Sequence, residues 1–128
     1  MHIAHPRPSH AHVRRGAFAA LSALLLAAAI AEILSRGTGW WLFAAFLIAP
    51  DIALVAGIGT GLEKGRLHPR AVRLYNATHS FWGPALLAVI SVGLPAAWLA
   101  GALAWALHIS WDRTIGYGMR TRDGFQRS

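Results

Sequence analysis

Four ionisable side chains in an otherwise apolar chain have the types and spacing to bind a metal ion. His108 and Asp112 stand four residues apart in "HISWD", so on a helix they share one face. Asp51 follows Pro50 in "LIAPDIAL", and His79 closes the run "YNATH". Two imidazoles and two carboxylates suit a borderline divalent ion such as zinc, manganese or iron(II). Two aspartates and one divalent cation also sum to zero charge, which lowers the cost of burying all of them. Tyr75 and Asn76 lie four and three residues before His79, on its helix face. They are candidates to orient the ring or to hold a substrate. A metal-free network is the rival: Asp51 or Asp112 would hydrogen-bond the histidines, and Arg73 would pair with Asp112. Arg113, adjacent to Asp112, points elsewhere on a helix and is a poor partner.

These residues need elements that bring them to one level. From Leu74 to Trp111 there is no Lys, Arg, Asp or Glu. A membrane-spanning helix needs about 20 mostly apolar residues, so this run holds two spans with a turn at Gly93 and Pro95. "GAFAALSALLLAAAIAEILS" carries only Glu32, to which we assign no role, and "WWLFAAFLIAPDIALVAGIG" carries only Asp51. The sequence predicts an all-α integral membrane bundle of four helices, about 17–35, 40–59, 70–92 and 95–115. Residues 1–16 are expected to form a flexible, basic, His-rich tail, 17–118 the membrane domain and 119–128 a cytoplasmic tail. Counted from the cytoplasmic helix ends at about 1.5 Å per residue, Asp51, His79 and His108 lie roughly 10–14 Å deep, with Asp112 one turn nearer the surface. Ionisable groups at such depth cost roughly 2.5–3.5 kcal/mol each and need partners.

Of the 12 lysines and arginines, only Arg36 falls on one side of this topology, so the positive-inside rule puts both termini in the cytoplasm. Trp40, Trp41 and Trp98 mark the outer boundary, and Trp111 and Tyr117 the inner one. The net charge of +7 is then explained by insertion and by attraction to anionic lipid head groups; nucleic-acid binding is not expected. The expected location is a bacterial cytoplasmic membrane, multi-pass, with homo-oligomer contacts as a further option. Arg14 and Arg15 ahead of an apolar run ending "AIA" at 29–31 also match a secretory signal peptide, whose cleavage would leave three helices. Continuation of the apolar run through "EIL" favours a retained span.

His2, His5, His10 and His12 match no standard metal-site spacing. "GIGTGLEKGR" follows no strand, so it reads as a loop and not as a dinucleotide fingerprint. With no cysteine, disulfides and thiolate metal sites are excluded.

"WWLFAAFLIAPD", "YNATHSFWGPALL" and "HISWDRTIGYGMR…GF" resemble the bacterial domain of unknown function 4260 family, small four-helix membrane proteins. The resemblance runs from about Trp40 to Phe125, through Pro50, Asp51, Tyr75, Asn76, His79, His108, Asp112, Arg113, Gly116, Tyr117 and Gly118. At the start of helix one the chain has Arg15-Gly16, where the family carries an acidic residue beside glycine. The family implies no activity. The order Pro-Asp, His, then His with Asp four residues on is more loosely similar to membrane-bound metal-dependent hydrolases.

Together these residues point to one divalent metal held near the inner leaflet by Asp51, His79, His108 and Asp112. The ion would activate water for attack on an ester or phosphoester of a lipid-like substrate. Arg73 and Arg113 would hold a phosphate, and Tyr117 would stand at the mouth of the site. The alternatives are a polar cluster that specifies helix packing or oligomerisation, and a small ion or proton pathway formed by an oligomer.

Overall fold

A computed structural model describes residues 9–127 of the chain. They are all-α, with nothing of a sheet among them beyond one isolated bridge between Arg120 and Gln126. Helix α1 spans His10–Arg36. It starts at His10 and not near residue 17, because the Ser9 hydroxyl caps the His12 N–H and also contacts His12 Nδ1 at 2.7 Å. His10 and His12 therefore lie in the first turns of a helix, not in a flexible tail; His2 and His5 lie outside the described residues. At its far end Gly37, at φ 67°, returns its N–H to the Ile33 carbonyl. With 27 residues and a long apolar stretch within them, α1 is long and apolar enough to cross a membrane. It is the one such helix among the described residues.

The second and third expected helices are each broken near a proline. In the second, α2 (Trp40–Ile48) tightens into a 3-10 turn, Ala49–Asp51, and resumes as α3 (Ile52–Ala56). Pro50 has no N–H to give the carbonyl four residues back and its ring crowds that turn, so one helix over 40–59 does not form. In the third, a 3-10 turn at Pro69–Ala71 leads into α4 (Val72–Thr78), and α5 (Trp82–Ile90) starts afresh before a 3-10 turn, Ser91–Gly93. Pro84 sits in the first turn of α5, where proline is tolerated, but it cannot bond back to Ser80. The expected single helix over 70–92 is thereby divided at residues 79–81. Sequence periodicity extended the apolar runs through both sites without weighing the missing donors. The last helix, α6 (Ala97–Ile115), is unbroken and ends at Gly116, whose φ of 99° suits glycine.

Helix α6 is the hub, with α1, α2 and α5 packed around it. Small residues allow this approach: Ala100, Gly101, Ala102 and Ala104 are all buried on α6. Phe46 lies against Gly101, and Trp105 fills the space over Gly83, where any β-carbon would collide with its ring. Across α1 and α6 the buried Ser22 and Ser110 hydroxyls meet at 2.7 Å. Large apolar residues face outward instead, among them Leu24, Leu34, Ile48, Ile52, Trp82 and Val89.

The two ends of the bundle differ in charge. At one end Gly39 abuts Ala97 and Ala100, and Arg36 is the cation. At the other, residues 116–127 do not trail away as a free tail but fold back over the 57–68 loop. Leu67 donates its N–H to the Gly124 carbonyl at 2.9 Å, and Arg120 donates Nη1 to the carbonyls of Gly65 and Gly124. Gly124, at φ 97°, is pressed so closely on the Leu67 carbonyl that no β-carbon fits. Asn76 clamps the same segment, its amide donating to the Arg120 carbonyl at 3.0 Å and accepting the Arg120 N–H at 2.8 Å.

Candidate metal centre

The helix breaks position the ligand candidates. Asp51 ends the 3-10 turn that contains Pro50, and His79 lies just past α4, where the helix stops. His108 and Asp112 project from adjacent turns of α6. One ligand atom from each of the four lies within 4.8 Å of the others. His79 Nε2 is 3.4 Å from Asp51 Oδ1 and 3.5 Å from Asp112 Oδ2. His108 Nε2 is 3.3 Å from Asp51 Oδ1 and 3.5 Å from Asp112 Oδ2. The two Nε2 atoms are 3.3 Å apart. A tetrahedral ion with bonds of about 2.0–2.2 Å has ligand-to-ligand edges of roughly 3.3–3.6 Å. All five of these separations match that edge.

Hydrogen bonding decides what the facing atoms are. His79 Nδ1 lies 2.9 Å from the Tyr75 carbonyl, and His108 Nδ1 lies 2.7 Å from the Leu47 carbonyl. A carbonyl oxygen only accepts, so each neutral ring carries its proton on Nδ1 and turns a bare lone pair on Nε2 toward the cluster. Thr78 Oγ1, 3.1 Å from His79 Nδ1, has the Leu74 and Tyr75 carbonyls at 3.0 Å to receive its own proton. Two imine nitrogens and two carboxylates are therefore acceptors facing acceptors. Only a cation at their centre, a metal ion or added protons, makes that arrangement favourable. Imidazoles fixed through Nδ1 to a backbone carbonyl are also the usual support for metal ligation by Nε2.

Surrounding groups hold this geometry. Tyr75 stacks on His79 with ring centroids 3.9 Å apart, and the Arg120 guanidinium lies over the Tyr75 ring, 4.8 Å from its centroid. Gln126 Nε2 donates to the Tyr75 hydroxyl at 3.3 Å, so the folded-back C-terminal segment braces the stack. The carbonyls freed where α4 stops are both satisfied from α6. Trp105 Nε1 donates to Thr78 O and Arg113 Nη2 to His79 O, each at 2.7 Å. Sequence reasoning missed Trp105 and Gln126. Nothing local pointed to either, since their partners lie 27 and 51 residues away.

Exposure is uneven: the His79 side chain is 0% exposed and His108 10%, whereas Asp51 is 49% exposed. One edge of the cluster thus opens outward beside the exposed Ile48 and Ile52. The remaining candidates lie elsewhere. Asn76 holds the C-terminal segment through both its Nδ2 and its Oδ1 and is engaged there instead of in the cluster. Arg73 is exposed in a groove with Arg120 and Arg122, so its expected pairing with Asp112 does not form. Arg113 makes no ion pair with Asp112 and lines a separate pocket with Tyr117; the two arginines expected to share a phosphate line different concavities.

The family model described as Domain of unknown function (DUF4260) matches residues 18–128. The match takes in α1 from Phe18 onward as well as the segments that carry the four ligand candidates. No curated protein and no solved structure matches the chain.

Proposed function

We propose that this chain, which belongs to the family described as Domain of unknown function (DUF4260), is a multi-pass membrane protein that binds one divalent metal ion and uses it for hydrolysis. The observation that carries the proposal is the convergence of four acceptor atoms within 4.8 Å, the His–His and His–Asp separations at 3.3–3.5 Å, with both Nδ1 protons committed to carbonyls. The membrane setting is supported by large apolar side chains facing outward on helices α1 to α6 and by the gathering of arginines at one end of the bundle. The domain division follows from it: four membrane segments between residues 17 and 118, and cytoplasmic termini.

A bound divalent ion supplies a Lewis acid and lowers the pKa of water to near neutrality. The residues supply its setting. His79, Asp112 and His108 form the inner wall, while Asp51 stands at the open edge, where a substrate oxygen can approach. Ile48 and Ile52 beside that edge favour an apolar, lipid-like ester or phosphoester.

A structural metal is the second reading, favoured because four protein side chains each offer one ligand atom, the number that closed sites use. Such an ion would tie the α2–α3 break, the α4–α5 break and α6 together. Purified protein in detergent, loaded with zinc or manganese, separates the two. Hydrolysis of a short-chain lipid ester that is abolished by His108→Ala supports the enzyme. A metal-dependent rise in melting temperature with no turnover supports the staple. Protein that binds neither ion contradicts both.

A further inference from the structure

A pocket of about 490 Å³ lies where the first turns of α1 meet the end of α6. Arg14, Arg15, Arg113 and Arg127 line it, with Phe18 and Tyr117 in its apolar wall. Among the described residues no carboxylate lines it and none of these four arginines forms an ion pair. The one arginine that does is Arg36, with Glu32 at the opposite end of the bundle. Four like charges around one concavity repel, and an anion between them removes that cost. Two of the four are held in place. Arg113 is anchored by the Tyr117 and His79 carbonyls at 3.2 and 2.7 Å. Arg15 packs onto Gly116, where a β-carbon would meet its Cζ at 3.0 Å. Arginine forks match the paired oxygens of a phosphate, and the apolar wall suits the start of an amphiphile's hydrocarbon chains.

We propose that this pocket binds a phosphate group, as the monoester headgroup of a lipid or as free phosphate. The inference stands on the pocket alone and does not rest on the metal. Its test is isothermal titration of the full-length protein in detergent with short-chain phosphatidate, the matched phosphatidylcholine and inorganic phosphate. Phosphatidate should bind about tenfold tighter than phosphatidylcholine, and Arg14→Gln with Arg15→Gln should weaken it by about the same factor, the size expected for lost charge-assisted hydrogen bonds. Lys64→Gln with Arg122→Gln, an equal loss of charge outside the pocket, should leave binding unchanged. Displacement of phosphatidate by inorganic phosphate assigns recognition to the phosphate alone; failure to displace it assigns recognition to the lipid headgroup. Equal affinity for the two lipids, or equal weakening by the control pair, overturns the proposal.

Discussion

The Nε2 atoms of His79 and His108 face each other across 3.3 Å, each on a ring whose Nδ1 already meets a backbone carbonyl. Neither atom can donate to the other while both rings are neutral. The pair is a receptor for positive charge, and its consequences can be measured.

Replacing a ligand should remove the ion. His79→Ala or His108→Ala is expected to lose bound zinc, whereas Glu32→Ala, at the far end of α1, should keep it in full. Disturbing a support should cost less: Tyr75→Leu removes the stack on His79, and losses of this kind typically weaken affinity by about 10–100-fold. Competition with a zinc-responsive dye gives both numbers. Retention of full affinity in His108→Ala would rule out the assigned ligands.

Metal affinity should fall in acid. Ligation needs the lone pair on each Nε2, so protons compete with the ion directly. Where both imidazoles take a proton on release, affinity should drop by up to about a hundredfold for each pH unit. The sign is fixed: the loaded protein gains stability as pH rises and loses it as pH falls. Melting temperature measured with and without zinc across a pH series tests this, and a zinc-induced shift that grows on acidification would contradict it.

Gly124→Ala should destabilise the end of the bundle that supports Tyr75. The backbone there is left-handed at φ 97° and lies against the Leu67 carbonyl, so both strain and overlap oppose a β-carbon. A loss of about 1–3 kcal/mol is expected. Thermal unfolding should show it, accompanied by faster proteolysis after Arg120. A variant as stable as the parent would mean that the 116–127 segment does not brace the fold.

Topology has a direct chemical test, because the chain contains no cysteine. A cysteine at Thr38 should react with an impermeant thiol reagent on intact cells, and one at Thr121 should react only after lysis. The reverse pattern would invert the proposed orientation. Labelling at both positions would contradict an even number of membrane crossings.

Helix content and the four ligand candidates were legible in the sequence because apolar runs and isolated ionisable groups are strong signals. Family membership was legible too, from the Pro50-Asp51, Tyr75-Asn76-x-x-His79 and His108-x-x-x-Asp112 motifs. The breaks beside Asp51 and His79 were not read, although Pro50 and Pro84 announce them. Hydropathy averages over a window, whereas a proline acts on one hydrogen bond. The roles of Trp105, Asn76 and Gln126 were illegible for another reason. Each depends on a partner 27 to 51 residues away, set by packing and not by local pattern. Ser9 also extended α1 past its apolar run, since a cap acts through its hydroxyl and carries no hydropathy.

X-ray absorption at the zinc edge of zinc-loaded protein tests the central claim most directly. Four nitrogen and oxygen scatterers at about 2.0–2.1 Å are expected, with the outer-shell pattern of two imidazoles, and that signature should be lost in His108→Ala. A six-oxygen shell, or a spectrum unchanged by His108→Ala, would contradict a metal held by Asp51, His79, His108 and Asp112.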